Sequence, residues 1–286
     1  MQRYNGPAMK PVCDKTLQDL KVTAAELRLR IIEYSASSRT PHVASCLSCV
    51  DILTIYYFHL LKIDPKHPQN ETRDRFVLSK GHAAPALFQV LAMAGFFSEE
   101  RLANAKHDGT DVFGEHPPAP QYLSGIEAAT GSLGHGLPIA LGFALASKKN
   151  SWSNRIDVLI GDGESNEGTT WEAAMLAGSQ KLENLTVVTD FNKWQATDRS
   201  QAVMQIDPLI DKWRSFGWDA VEVDGHDIVA LSDILQKPTI SRPRAVIAHT
   251  VKGKGVSFME DDNNWHYKIP TDKEINDAKL ELRVLS

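Results

Sequence analysis

Apolar positions along the chain follow two alternating rhythms. Leu20, Ala24, Leu27, Ile31 and Tyr34 recur at helical spacing, which predicts a helix over residues 16–35. Short apolar runs then punctuate the rest. Arg75 to Ser79, Ile156 to Ile160, Leu185 to Asp190, Asp219 to Val223 and Ala245 to Thr250 read as five strands. The second, Ile156-Asp157-Val158-Leu159-Ile160, has the near-continuous apolar character of a buried parallel strand. Helices are predicted between them. One is capped by Ser48 and Asp51 and runs through about Leu61; another turns at Lys80-Gly81-His82 and ends near Gly95. A short one covers 98–105, and one with Pro138 in its first turn reaches about Lys149. Thr169-Thr170-Trp171-Glu172 is a capping-box pattern opening the next, with Trp171, Ala174, Met175, Gly178 and Leu182 on one face. Two more are expected around 206–216 and 229–236. Thr40 to Ser48 and Asp64 to Arg73 read as loops, as does Lys106 to Gly125, which is long enough to imply a function. Residues 1–14 read as a loose arm, and Lys252 to Ser286 as a Gly- and Asp-rich loop with a charged tail. Strand–helix alternation without repeats or linker-like breaks predicts a single domain over 1–286: a doubly wound, mostly parallel α/β sheet flanked by helices.

The stretch Gly161-Asp162-Gly163-Glu164-Ser165-Asn166-Glu167-Gly168 follows one predicted strand, and Asn192 follows the next. Asp162 and Asn192 are therefore expected at the carboxyl ends of adjacent strands in a βαβ unit, where open α/β sheets bind ligands. A carboxylate and an amide oxygen are hard donors that suit Mg²⁺ or Ca²⁺ and leave positions open for a carbonyl, water and phosphate oxygens. Gly161 and Gly163 would let the backbone approach a diphosphate closely. Taken alone, Gly-Asp-Gly reads better as a plain turn. The placement of Asn192 favours the ion site.

Composition narrows the classes. At 42% hydrophobic and 23% charged, the 286 residues have the make-up of an ordinary globular chain. A net charge of −5 gives no support for nucleic-acid binding or an acidic membrane surface. Neither a signal peptide nor an eighteen-residue apolar stretch is present. Cys13, Cys46 and Cys49 cannot make a disulfide framework, and Cys46-Leu47-Ser48-Cys49 lacks the further ligands a zinc site needs, so buried thiols in a reducing cytoplasm are the reading. His42, His82, His116, His135 and His266 all fall in loops or at helix starts beside glycine or proline. Each alone is compatible with a cap or a solvated side chain. Together, in loops expected at one sheet edge, they suit proton transfer and hydrogen bonding to sugar hydroxyls or phosphates.

Gly-Asp-Gly followed about thirty residues later by Asn is the signature of thiamine-diphosphate enzymes, and Gly161 to Asn192 closely resembles the transketolase family. The resemblance runs from about Thr16 to Tyr267 but covers only the N-terminal, diphosphate-binding half of an ordinary transketolase. The chain thus looks like the N-terminal subunit of a split, two-chain transketolase. The resemblance implies thiamine diphosphate as cofactor, with Mg²⁺ (or Ca²⁺) held by Asp162, Asn192 and the main-chain carbonyl of Trp194. Ser79-Lys80-Gly81-His82 is similar to the family's Ser-x-Gly-His, making His82 a substrate contact. His42 matches another substrate-contacting histidine, although Thr40-Pro41-His42-Val43-Ala44 departs from the usual Ser-Gly-His-Pro-Gly. His116, in Gly114-Glu115-His116-Pro117, resembles the Gly-His-Pro-Glu histidine with its order disturbed. Thr130-Gly131-Ser132-Leu133-Gly134-His135-Gly136 resembles the loop over the cofactor's rings, so Gly131 and Leu133 are implied contacts. Gly161, Gly163 and Glu164 join them on the diphosphate side, as does His266 of Trp265-His266. Lys252-Gly253-Lys254-Gly255 has the look of a mobile loop nearby, and Glu167 matches a carboxylate linking paired active sites across a dimer. Asp51 is read only as a helix-capping carboxylate.

In the family a glutamate that activates the cofactor, and the pocket for its pyrimidine, belong to a second α/β domain. No second sheet is left over here. The resemblance therefore implies ketol transfer from a ketose or its phosphate to an aldose, only with a C-terminal partner subunit of roughly 300 residues, in a heterotetramer. Two other readings stand beside it: the α-subunit of a 2-oxo-acid dehydrogenase first component, and a non-catalytic partner that keeps the cofactor fold. A nicotinamide site is disfavoured, because no Gly-x-Gly-x-x-Gly follows Ile160.

Overall fold

The computed structural model describes residues 16–103, 105 and 114–285, apart from the side chains of 284 and 285. The expected arm at 1–14 and part of the long loop, 106–113, lie outside that range. Five strands form: β1 (Arg75–Leu78), β2 (Ile156–Gly161), β3 (Leu185–Phe191), β4 (Asp219–Asp224) and β5 (Arg244–His249). Every neighbouring pair is parallel, in the order β1-β2-β3-β5-β4. The helices are α1 (Leu17–Ser38), α2 (Val43–Ser48), α3 (Val50–Ile55), α4 (Ala84–Met93), α5 (Glu99–Ala103), α6 (Gly136–Lys149), α7 (Gly168–Ser179), α8 (Ser200–Val203), α9 (Leu209–Ser215), α10 (Ile228–Gln236) and α11 (Asp272–Leu285).

Side chains leave a strand on alternate faces, and both faces here are covered. Leu159, Val188 and Val246 join a core with α1 to α4, α10 and α11, while Val158, Ile160, Val187 and Ile247 join another with α6, α7 and α9. That double burial is why β2 reads as a near-continuous apolar run, broken only by Asp157. No helix among the described residues is long and apolar enough to cross a membrane.

Five local expectations are corrected. Part of the stretch from Thr40 to Ser48, read as a loop, is the buried helix α2. Ser48 and Asp51 do not cap α3: the Ser48 hydroxyl donates to Asp190 at 2.6 Å, and the Asp51 carboxylate accepts from Arg28 at 2.6 Å. The capping box expected at Thr169 does not form. Glu167 is the N-cap of α7, and the hydroxyls of Thr169 and Thr170 donate to the carbonyls of Gly134 and Glu164. Ala173, Ala174 and Ala177 carry the buried face of α7, leaving Met175 55% exposed. The charged tail is in fact α11, whose Ala278 and Leu282 are buried in the core that holds α1, with Lys279 paired to Glu33 at 2.7 Å.

Because the strands are parallel, the loops at their carboxyl ends open at one edge. β1 leads there into Ser79-Lys80-Gly81-His82, β2 into Asp162, β3 into Asn192 and β5 into Thr250-Val251-Lys252.

Candidate active site

The floor of this edge is built from oxygen donors. Asp162 is 3% exposed; its Oδ2 accepts from Ser200 Oγ at 2.6 Å and its Oδ1 from the Gly163 amide at 3.1 Å. Burial pushes its carboxyl up to about 6. Asn192, also buried, accepts the Trp194 amide on Oδ1 at 3.0 Å, which fixes the turn carrying the Trp194 carbonyl. Its Nδ2 donates to Ser48 Oγ at 3.4 Å. Beneath lies an ion pair that the sequence does not announce. The Lys80 ammonium bonds Asp190 Oδ2, the Ser45 carbonyl at 2.9 Å and Ser48 Oγ at 3.1 Å. Burial opposes the charge on Lys80, but the charge and hydrogen bond of Asp190, with Asp162 behind them, together raise the lysine above its ordinary range.

Glu164 organises the glycine-rich wall. Its Oε1 accepts from Ser79 Oγ and from the Gly134 amide at 3.0 Å, and its Oε2 from the Gly161 amide at 2.9 Å. Both carboxylate oxygens are thus engaged by the protein. Gly131 has φ +136°, and a Cβ there would stand 2.6 Å from His116 Cδ2. Gly134 (φ +74°) is crowded by Glu167 Cβ at 2.5 Å, so half-exposed Glu167 packs against this loop. Leu133 is 38% exposed on it.

Four of the five loop histidines form a row. Ring centroids are 4.7 Å apart for His266 and His42, 4.9 Å for His42 and His82, and 4.5 Å for His82 and His116. His135 stays outside it, exposed, with Nδ1 2.9 Å from the Leu133 carbonyl. His42 has a left-handed backbone (φ +69°), held by its amide donating to the His266 carbonyl at 2.9 Å. Burial, then the neighbouring histidines and lysines, push His42 down to about 4 and His266 to about 3, and His82 down as well. At neutral pH His42 and His266 are uncharged. Their folded pKa values lie below the ordinary 6.5, so between these limits the unfolded chain binds more protons. Their contribution to stability is complete above pH 6.5 and is lost as pH falls through about 4 and then 3. His42→Gln is expected to unfold in urea with a shallower acid dependence between pH 7 and 4.5 than the parent. Parallel curves would show that His42 titrates normally.

Lys252 closes the site. It is 1% exposed, its Nζ lies 2.5 Å from Asn263 Oδ1 and 3.0 Å from His266 Nδ1, and neither partner is a carboxylate. Burial, and then the charge of Lys80, lower it to about 7. A buried lysine held this way is poised for an anion.

Glycine spacing bears on whether thiamine diphosphate fits. A Cβ at Gly161 would meet only Lys80 Cγ at 3.6 Å, and one at Gly163 only Gln195 at 3.5 Å, with neither φ positive. The chain alone does not demand glycine there, whereas a close-lying diphosphate would. Asp162, the Asn192 amide oxygen and the Trp194 carbonyl offer an all-oxygen donor set of the kind Mg²⁺ takes. The residues fit the group. The Cys46–Cys49 pair is buried, with the Cys46 thiol pushed up to about 12 by burial, and no cluster of three His, Cys, Asp or Glu ligands occurs among the described residues.

Lys80 and Lys252 escaped sequence reasoning, although both lie in segments singled out there. The 252–255 segment is also better anchored than expected: Gly253 N–H donates to the Ala44 carbonyl at 2.9 Å and Val251 N–H to His226 Nε2 at 2.9 Å.

Comparison with known proteins agrees with this geometry. Residues 21–284 match the family "Transketolase, thiamine diphosphate binding domain". The chain is 40% identical over 268 residues to one subunit of the apulose-4-phosphate transketolase of Actinobacillus succinogenes, across 93% of this chain and 96% of that one. It is 41% identical over 244 residues to the 6-deoxy-6-sulfo-D-fructose transketolase subunit SqwG of Clostridium sp., across 85% and 88%. Human transketolase is 38% identical over 94% of this chain but only 42% of its own length. The solved transketolase of Campylobacter jejuni superposes with a TM-score of 0.85 at 29% identity, covering 94% of this chain and 43% of that one. The chain thus spans less than half the length of these larger transketolases and nearly all of the apulose-4-phosphate transketolase subunit. These likenesses decide against the 2-oxo-acid dehydrogenase reading. The chain belongs to the transketolase family, and what it holds is that family's thiamine diphosphate-binding domain.

Proposed function

We propose that residues 1–286 act as one diphosphate-binding domain, the N-terminal subunit of a two-chain transketolase that moves a two-carbon ketol unit from a ketose to an aldose. The observation that carries this reading is the meeting, at one sheet edge, of the Asp162–Asn192 oxygen pair, buried Lys252 and the row of four histidines. Mg²⁺ (or Ca²⁺) would rest on Asp162, Asn192 and the Trp194 carbonyl. Thiamine diphosphate supplies, when bound, the carbon nucleophile that accepts the two-carbon unit. The chain's own groups do the rest. Lys252 offsets the diphosphate charge beside His266. His42, His82 and His116, set in a row, hydrogen-bond the sugar's hydroxyls and move protons at them. His42 Nδ1 and His116 Nε2 are buried and have no partner among the described residues, as such a role requires. Gly131 and Leu133 lie in the loop proposed to cover the cofactor's rings, with Glu167 facing a second copy of the site.

Two relatives are each named as one subunit of an apulose-4-phosphate transketolase, which supports both a partner chain and a phosphorylated sugar. A third is named for a sulfonated sugar, so an anionic substrate is the shared expectation. The assembly proposed is a heterotetramer, two of each chain.

His82→Ala is expected to lower ketol transfer by on the order of 10²–10⁴ with little change in cofactor affinity, the usual loss for a positioned acid or base. His266→Ala, which strips Lys252 of a partner, should weaken cofactor binding first. Steady-state kinetics of the reconstituted enzyme across a thiamine diphosphate series separates the two. Matching profiles would mean that the division of roles is wrong.

A further inference from the structure

The segment carrying Lys252 is fastened on both sides to one buried polar chain. Val251 N–H donates to His226 Nε2 at 2.9 Å, and His226 Nδ1 lies 2.7 Å from Asp51 Oδ2. An amide can only donate, so Nε2 accepts, and the ring proton sits on Nδ1, where it is donated to Asp51. The same Asp51 oxygen accepts from Arg28 Nη2 at 2.6 Å, and Arg28 Nε donates to the Lys254 carbonyl at 3.0 Å. Arg28 comes from α1, Asp51 from α3 and His226 from the turn after β4. Their contacts bracket Lys252 on the N-terminal side at Val251 and on the C-terminal side at Lys254.

Two further observations point the same way. Gly255 has φ +95°, and a Cβ there would stand 2.8 Å from Arg28 Cδ, so the loop is shaped to let the guanidinium reach under it. The side chains of Arg28 and Asp51 are 8% and 6% exposed. A buried pair of this kind is weak evidence for stability, because two well-packed apolar side chains often do as well. Directed hydrogen bonds to the backbone on both sides of one lysine do something an apolar pair cannot. Although burial opposes its ionisation, Arg28 and His226 hold the Asp51 carboxyl down at about 2, so the anchor keeps its charge.

We propose that Arg28, Asp51 and His226 are positioning residues that fix the backbone of residues 251–254 and so aim Lys252 at the cofactor's diphosphate; this rests on the reading of Lys252 as the diphosphate-side cation. None of the three need touch the ligand. Removing one frees the loop, and the ammonium then has to be immobilised when the ligand binds, a cost that appears as lost affinity.

The test is calorimetric titration of Mg²⁺–thiamine diphosphate into the full chain, with amide hydrogen exchange of 251–255 read on the cofactor-free protein. Lys252→Ala tests the underlying reading and should weaken binding. His226→Leu and Asp51→Asn should each weaken it by about tenfold or more, the range seen when groups behind a ligand are removed, and should speed exchange at Val251. His226→Gln keeps an acceptor for Val251 and a donor for Asp51 and should stay within about threefold of the parent. In the Lys252→Ala background His226→Leu should add little, because its effect passes through the lysine. Lost affinity in Lys252→Ala beside parent-like affinity in His226→Leu and Asp51→Asn would overturn the positioning role alone. So would a His226→Leu loss that persists in full without Lys252. Unchanged affinity in Lys252→Ala would instead overturn the diphosphate reading beneath it. If His226→Leu does not fold, Asp51→Asn against His226→Gln decides by the same criteria.

Discussion

Replacing Asp162 or Asn192 by alanine is expected to abolish Mg²⁺-dependent binding of thiamine diphosphate while the chain stays folded. Each substitution removes one oxygen from a donor set in which the protein supplies few. Mg²⁺ demands near-octahedral geometry and is usually held by only one or two carboxylates plus phosphate oxygens, so the loss cannot be shared out. Neither side chain supports the core. Burial raises the Asp162 carboxyl to about 6, which means the fold carries this group against a desolvation cost. Its removal strands only the Ser200 hydroxyl and the Gly163 amide, and hydrogen bonds of that kind contribute about 1 kcal/mol each. In Asn192→Ala the Trp194 amide loses its acceptor, so the carbonyl at that turn is freed as well. Titration with and without Mg²⁺, beside a thermal melt of each variant, reads both halves of the expectation. Parent-like cofactor affinity in both variants would sink the metal assignment.

Much of the fold is legible because burial on two faces writes itself into composition. β2 is apolar but for Asp157 and Gly161, β3 carries Leu185, Val187, Val188 and Phe191, and parallel pairing then puts Asp162 and Asn192 on adjacent strand ends. What escapes is decided by contacts distant in sequence. Lys80 and Asp190 are 110 positions apart, and nothing local distinguishes a buried lysine from the solvated ones that outnumber it. Lys252 hides behind its glycines, since Lys-Gly-Lys-Gly reads as flexible until His226 and Arg28 are seen to hold it. Asp51 reads as a cap because it lies in the first turn of α3; the partners that claim it come from α1 and the turn after β4. α11 reads as a charged tail because its buried positions are sparse, and only α1 alongside turns Ala278 and Leu282 into a packing face. The histidine row is half legible. Loop placement suggests a meeting at the sheet edge, but only the folded chain admits His116 and leaves out His135.

Purified alone, the chain is expected to show no transketolase activity, and turnover should appear on adding a second chain of roughly 300 residues. The described residues form one sheet, and that sheet's carboxyl edge carries the groups proposed for the diphosphate side. In the family as it resembles this chain, the glutamate that activates the cofactor comes from a second α/β domain, which the two-chain reading supplies in trans. A site completed at a subunit boundary requires an extensive contact face, and obligate interfaces commonly bury more than about 2,000 Å². The two-chain reading assigns that face to exposed apolar groups of the glycine-rich loop and α7. Leu133 projects 38% exposed from the glycine-rich loop, and Met175 and Leu176 are 55% and 44% exposed on α7, the helix that follows the Asp162 turn. Without a partner these groups should drive self-association, visible as concentration-dependent sedimentation that mixing with the second chain replaces by a heterotetramer. The decisive assay mixes ketose donor, aldose acceptor, Mg²⁺ and thiamine diphosphate with this chain alone. Robust turnover would refute the two-chain reading. Silence that persists with the partner present, beside intact cofactor binding, would instead support a non-catalytic role that keeps the fold for assembly.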